Sequence, residues 1–264
     1  MHIALGAGEI KILVQVGALA LILCLEAVFP LFQGRKERFR HIGRNLAVGL
    51  LNGILLALLF STLTASVTLR AQETGFGLLS TLSCPPWAET LLALFLFDLW
   101  MYLWHRANHR IPFLWRFHRM HHTDDQLDVS SALRFHTGEL VLSSLLRLAV
   151  VPLLGMSLSQ LILYETLLQP IILFHHSNVA LPERFDRVLR FLIVTPNMHR
   201  VHHSQERFET DSNYSSVFSF WDRLGKSFRR RPDPLTLRYG LPEFPDEKWQ
   251  TVAGMLKTPL AHSQ

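Results

Sequence analysis

From Leu46 to Leu69 the chain runs without a single charged side chain, and nothing else in the sequence restricts the fold so tightly. About 20 apolar residues suffice for a helix to cross the hydrocarbon of a bilayer. A second block, Ile12 to Phe32, is interrupted only near its end by Glu26. A third, Thr90 to Trp104, is shorter; Trp87 and Ala88 extend it backwards, and Asp98 lies within it. Three such blocks in 264 residues, with a mean hydropathy of +0.20, predict a membrane protein rather than a soluble globule. The first block is expected to be a retained span. It exceeds the ~7–15 residues of a signal core, few positive charges precede it, and no small-x-small site follows.

The formal charge of +5 does not indicate nucleic acid. Its excess sits in short loops beside apolar blocks, above all between Arg35 and Arg44, where five Arg or Lys accompany one Glu. The loop from Arg70 to Trp87 has one charge of each sign. By the positive-inside rule the first loop is cytoplasmic, the amino terminus lies outside, and the third span delivers His105 to the cytoplasmic surface. Trp87 at one end of that span and Trp100, Tyr102 and Trp104 at the other fit aromatic belts.

Two further apolar runs, Leu140–Leu154 and Leu158–Phe174, are separated by Gly155-Met156-Ser157 and predict a hairpin of helices. Arg147 inside the first run opposes a full crossing, since a mid-bilayer charge costs at least ~2.5 kcal/mol; a shallower re-entrant pair is the alternative. Residues 184–194 form an amphipathic pattern suited to a membrane surface. The expected fold is an all-α integral membrane protein with four or five membrane helices and a cytoplasmic, histidine-rich helical cap. Residues 1–87 would form the N-terminal membrane helices, 88–228 the catalytic domain and 229–264 a cytoplasmic tail. Cys24 and Cys84 have no spacing that suggests a disulfide framework or a metal site.

The chemistry is written in histidine. His105 and His109 stand at i and i+4; His118, His121 and His122 at i, i+3 and i+4; and His199, His202 and His203 repeat the second spacing. On helices each set shares one face. With His136, His175 and His176 they make eleven histidines at one predicted depth, more than one ion needs and suited to two. Imidazole by itself suits zinc, copper, iron or nickel. Apolar spans that open beside a polar metal site suit a substrate arriving from the bilayer, and oxygen activation at iron is the chemistry an unactivated C–H bond demands.

His105-x3-His109, His118-x2-His121-His122 and His199-x2-His202-His203 resemble the histidine boxes of the fatty acid hydroxylase and sterol desaturase superfamily of membrane di-iron oxygenases. The likeness extends through Arg134-Phe135-His136, His176-Ser177-Asn178, Asn213-Tyr214 and Phe220-Trp221-Asp222-Arg223-Leu224, roughly Leu91 to Phe228. It departs at Gly225-Lys226-Ser227, outside the boxes, where relatives often read Phe-Gly-Thr. The resemblance implies metal-ligand roles for His105, His109, His118, His121, His122, His199, His202 and His203, with His136 and His176 completing the site and His175 beside it. It further implies two iron ions, dioxygen as co-substrate, and a lipid such as a sterol, fatty acyl chain or carotenoid that is hydroxylated or desaturated. Electrons would come from a separate ferredoxin- or cytochrome-type donor and its reductase, because the sequence has no flavin or nicotinamide glycine fingerprint. The membrane would be the inner membrane of a bacterium or the endoplasmic reticulum of a eukaryote.

Asp98, on the same helical face as His105, is expected either to accept a hydrogen bond from a ligand imidazole or to make a helix-packing contact. Glu139, one turn after His136, would play the same supporting part. Asn178 and Asn213 read as turn residues or as donors near the ligands. His2, His41 and His262 read as lone amphipathic side chains at the water boundary. Arg106, Arg110, Arg116 and Arg119 would meet lipid headgroups or an acidic donor protein. Structural or hydrolytic zinc, a bis-histidine haem carrier and a metal transporter are the competing readings. The first usually takes cysteines and four ligands, and the other two need their ligands inside the spans.

Overall fold

A computed structural model describes residues 6–35 and 37–261. His2 and His262 lie outside these residues. The described residues form eleven α-helices joined by short 3-10 turns and contain isolated β-bridges but no strand.

Helix α1 (Ala7–Val28) and helix α2 (Arg38–Glu73) come from the first two apolar blocks, and α3 (Pro86–Arg110) from the third. Pro112 at the first turn of α4 (Pro112–His122) separates it from α3, a position where the missing N–H costs no hydrogen bond. Helices α5 (Thr137–Leu154) and α6 (Leu158–His176) are the expected hairpin. Its turn requires glycine. Gly155 has φ 75°, and Gly77 packs so closely that a Cβ there would lie 2.3 Å from the Gly155 nitrogen.

Helices α1, α2, α3 and α5 are each long and apolar enough to cross a membrane. Their outward faces expose Leu50, Leu58, Phe95 and Leu145, as helices solvated by lipid would. At ~1.5 Å per residue α2 is about 54 Å long, well beyond the ~30 Å hydrocarbon core, so a good part of it stands outside. Its first turns bury His41, Asn45, Val48 and Asn52, one stripe of a helix, against the cap. Helix α1 packs on α6, and α2 on α5. Arg147 does not stand as a lone charge in the hairpin. It pairs with Glu165 of α6, which also accepts from Lys11 at 3.0 Å.

The cap is made of α4, α7 (Glu183–Leu192), α8 (Pro196–His202), α9 (Arg207–Thr210), α10 (Phe220–Leu224) and α11 (Val252–Lys257). Helix α7 turns Phe185, Val188, Phe191 and Leu192 outward and pairs buried Arg190 with Asp186 and Glu183. Among the described residues near the carboxyl end, Met255 of α11 packs with Val48 and Met120.

Candidate metal centre

Nine of the predicted histidines converge in two neighbouring groups. The first holds His105, His109, His118, His122 and His202, and the second His121, His176, His199 and His203; within each group the ligating nitrogens lie within 4.8 Å of one another. Each three-histidine box divides between the groups. His118 and His122 serve the first while His121 serves the second, and His199 and His203 serve the second while His202 serves the first. Positions i and i+4 lie one turn apart on nearly one line, and i+3 points to the side, so two ions can share one helix.

Backbone carbonyls and a carboxylate fix the rings. His105 Nδ1 lies 2.8 Å from the Tyr214 carbonyl, His202 Nδ1 2.7 Å from that of Ser212, and His118 Nδ1 2.9 Å from Glu139 Oε1. In the second group His121 Nδ1 faces the Arg134 carbonyl at 3.2 Å and His176 Nδ1 that of Ile172 at 2.8 Å. A carbonyl accepts only, so each of these Nδ1 atoms carries the hydrogen and leaves Nε2 as a lone pair. The lone pairs face one another. His121 and His176 bring their Nε2 atoms to 3.0 Å, His176 and His199 to 3.0 Å, and His199 and His203 to 3.1 Å.

Converging lone pairs repel unless a cation sits between them, and the buried Nε2 atoms of His105, His109, His118, His122 and His202 have no protein partner at all among the described residues. The donor set therefore fits two metal ions. With metal–nitrogen bonds of ~2.1 Å, imidazoles at right angles about an ion stand ~3.0 Å apart and those at a tetrahedral angle ~3.4 Å; the second group has the closer spacing. Burial first, and neighbouring imidazoles second, push His121, His122, His199 and His203 well below the ordinary histidine pKa, so their rings are neutral and ready to bind.

Several residues sit elsewhere than the sequence suggested. His136 joins neither group: it caps α5 by accepting the Gly138 N–H at Nδ1, and its Nε2 lies 3.2 Å from the Leu256 carbonyl. Asp98 touches no imidazole. Buried in α3, it accepts from Tyr164 Oη at 2.6 Å, Trp221 Nε1 at 2.9 Å and the amides of Val217 and Phe218, and so moors the loop after α9 to the membrane helix. Asn178 is likewise remote, exchanging hydrogen bonds with the Phe32 backbone and donating its own N–H to Glu26. Asn213, at φ 50°, bridges Met198 and Arg229. His175 lies beside the second group, its ring 4.0 Å from that of His199.

His41 is the largest departure from expectation. It is buried, not at a water boundary, with Nε2 2.8 Å from Asp124 and Nδ1 3.2 Å from Asp128. Burial opposes ionisation of the two carboxyls, yet His41 wins and holds both below the usual carboxylate range, with Arg134 helping at Asp124. Thr123-Asp124-Asp125 next to a histidine box is a visible acidic signal; its partner, far upstream in α2, is not. Trp115 packs beside the first group, its ring 5.0 Å from that of His109 and carrying Arg207 at 4.8 Å.

A cavity of about 330 Å³ opens beside both groups. His105, His118, His121, His176 and His199 form one end, and Met101, Trp104, Leu133, Leu140, Leu168 and Ile172 line its course between α2, α3, α5 and α6. Exposed Gly53 of α2 also lines it, which places a mouth on the lipid-facing side.

A fatty acid hydroxylase family model matches residues 90–227, over half of the chain. An ornithine lipid hydroxylase of Rhizobium tropici is 30% identical over 153 residues, covering 58% of this chain and 45% of that protein. Human alkylglycerol monooxygenase is 27% identical over 149 residues, 54% of this chain and 31% of the relative. Rat cholesterol 25-hydroxylase is 26% identical over 152 residues, 55% and 48%. The chain thus matches less than half the length of these relatives. No solved structure matches.

Proposed function

This chain belongs to the fatty acid hydroxylase family, and from that premise we propose that it is a membrane di-iron oxygenase that hydroxylates a C–H bond of a lipid. The observation that carries the reading is the meeting of two imidazole groups with a mainly apolar cavity between the long helices. His105, His109, His118, His122 and His202 would hold one iron, and His121, His176, His199 and His203 the other. When bound, the irons supply dioxygen activation: R–H, O2, two electrons and two protons give R–OH and water. Glu139 and the carbonyls of Ser212, Tyr214, Arg134 and Ile172 keep the Nε2 lone pairs directed inward. The cavity aligns the chain and excludes bulk water.

The electrons would come from a separate ferredoxin- or cytochrome-type carrier, and the basic loop after α1 would place the cap in the cytoplasm. Metal analysis of the detergent-purified protein, with iron spectroscopy before and after oxygen, tests the reading. Two oxygen-reactive irons per chain are expected, and one oxygen-inert zinc would overturn it.

A further inference from the structure

The cavity is not wholly apolar. Gln169 of α6 and Ser143 of α5 line it, together with Arg147. The side chains of Gln169 and Ser143 have no hydrogen-bond partner among the described residues. Arg147 commits to Glu165 and lies over the Phe97 ring at 5.3 Å. These positions fall within the hairpin that enters the apolar layer. At ~1.5 Å per residue Ser143 stands about 6 Å and Arg147 about 12 Å along α5 from Glu139, and Gln169 about 10 Å along α6 from His176. A chain whose substrate was purely hydrocarbon would do better with Leu and Ala there.

We propose that Gln169 and Ser143 form a polar floor that hydrogen-bonds an uncharged polar group of the lipid, a hydroxyl or a carbonyl. The helical rise between floor and histidines sets that group roughly 6 to 10 Å from the carbon that meets the metals. This deepens the oxygenase reading and rests on it only for the word substrate. The floor fixes the oxidised position by distance: with the polar group seated, one segment of the apolar chain reaches the histidines. Arg147, its charge met by Glu165, keeps the floor polar without demanding an anionic ligand.

The test compares dodecan-1-ol with dodecane, bound from phosphatidylcholine nanodiscs and read by native mass spectrometry on the intact protein. Wild type should bind the alcohol more tightly than the alkane. The Gln169→Leu, Ser143→Ala double variant should bind the alcohol about five- to tenfold more weakly, the worth of one or two hydrogen bonds, and bind dodecane unchanged. Should that variant fail to fold, Gln169→Met, of equal length, makes the same comparison. An equal preference in wild type and variant, or none in wild type, overturns the floor. Iron content measured on the same samples separates the readings, because a protein with alcohol preference and no iron would retain the floor and lose the oxygenase.

Discussion

The two histidine groups draw on the same helical spacings but are fastened to different parts of the molecule. The first is held from the membrane side: α3 supplies two of its five imidazoles, and Glu139 of α5 braces a third. The second takes none from α3. It takes one imidazole from the end of α6, one from α4 and two from α8 and its C-cap, and the Arg134 carbonyl in the loop between α4 and α5 orients His121. That loop is clamped in turn by His41 between Asp124 and Asp128. One centre is thus built into a span, and the other depends on a buried polar network. The lesson is that equal ligand motifs need not make equal sites; what stands behind the rings sets how each centre fails.

Single ligand changes would break the comparison most sharply. His109→Ala should empty only the first site and His121→Ala only the second, each halving bound metal and lowering lipid oxidation by more than about a hundredfold, since loss of an outer partner alone costs ~10–100-fold. Loss of both metals from either variant, by elemental analysis, would show the groups to be one unit. Next comes the clamp. Breaking a buried ion pair costs ~3–5 kcal/mol, so His41→Ala should lower unfolding free energy by about 3 kcal/mol in chemical denaturation and loosen the second site before the first.

Its pH dependence has a definite sign. Asp128 is depressed in the folded protein, so its contribution is full above the unfolded carboxylate value of ~3.9 and fades as pH falls through the folded value. Without His41 the two carboxyls lose the cation that depresses them, so the fall of stability with acid should become shallower. An unchanged dependence on acid would refute the clamp. Glu139→Gln should weaken the first metal alone by ~10–100-fold, measured by chelator competition. The smallest effect lies in the cavity. A Cβ at Gly53 meets nothing within 4 Å, so Gly53→Trp should fold and keep both metals while slowing lipid oxidation by about tenfold or more. Full activity would move the mouth elsewhere.

The spans, the hairpin and the nine clustered histidines are legible in the sequence because each follows from a local regularity: apolar run length, proline position, or i, i+3, i+4 spacing. His136 is not, because a short motif gives a residue's neighbours in the chain and not the direction of its ring, which here turns to cap α5. Asp98 misleads for the same reason. It shares the His105 face, but its oxygens are taken by Tyr164, Trp221 and two amides that lie far along the chain. The roles of His41 and Glu165 cannot be read at all, since a charged or titratable group in isolation looks costly until a distant partner is brought to it.

By itself the sequence determined that the chain enters a membrane, that it presents helical histidine faces, and that there are more imidazoles than one ion can use. Only the tertiary structure decided how those imidazoles divide. A helix fixes the angle between two of its side chains, but which ion each reaches depends on the helices that bring the remaining nitrogens, and that is a matter of packing across the whole fold.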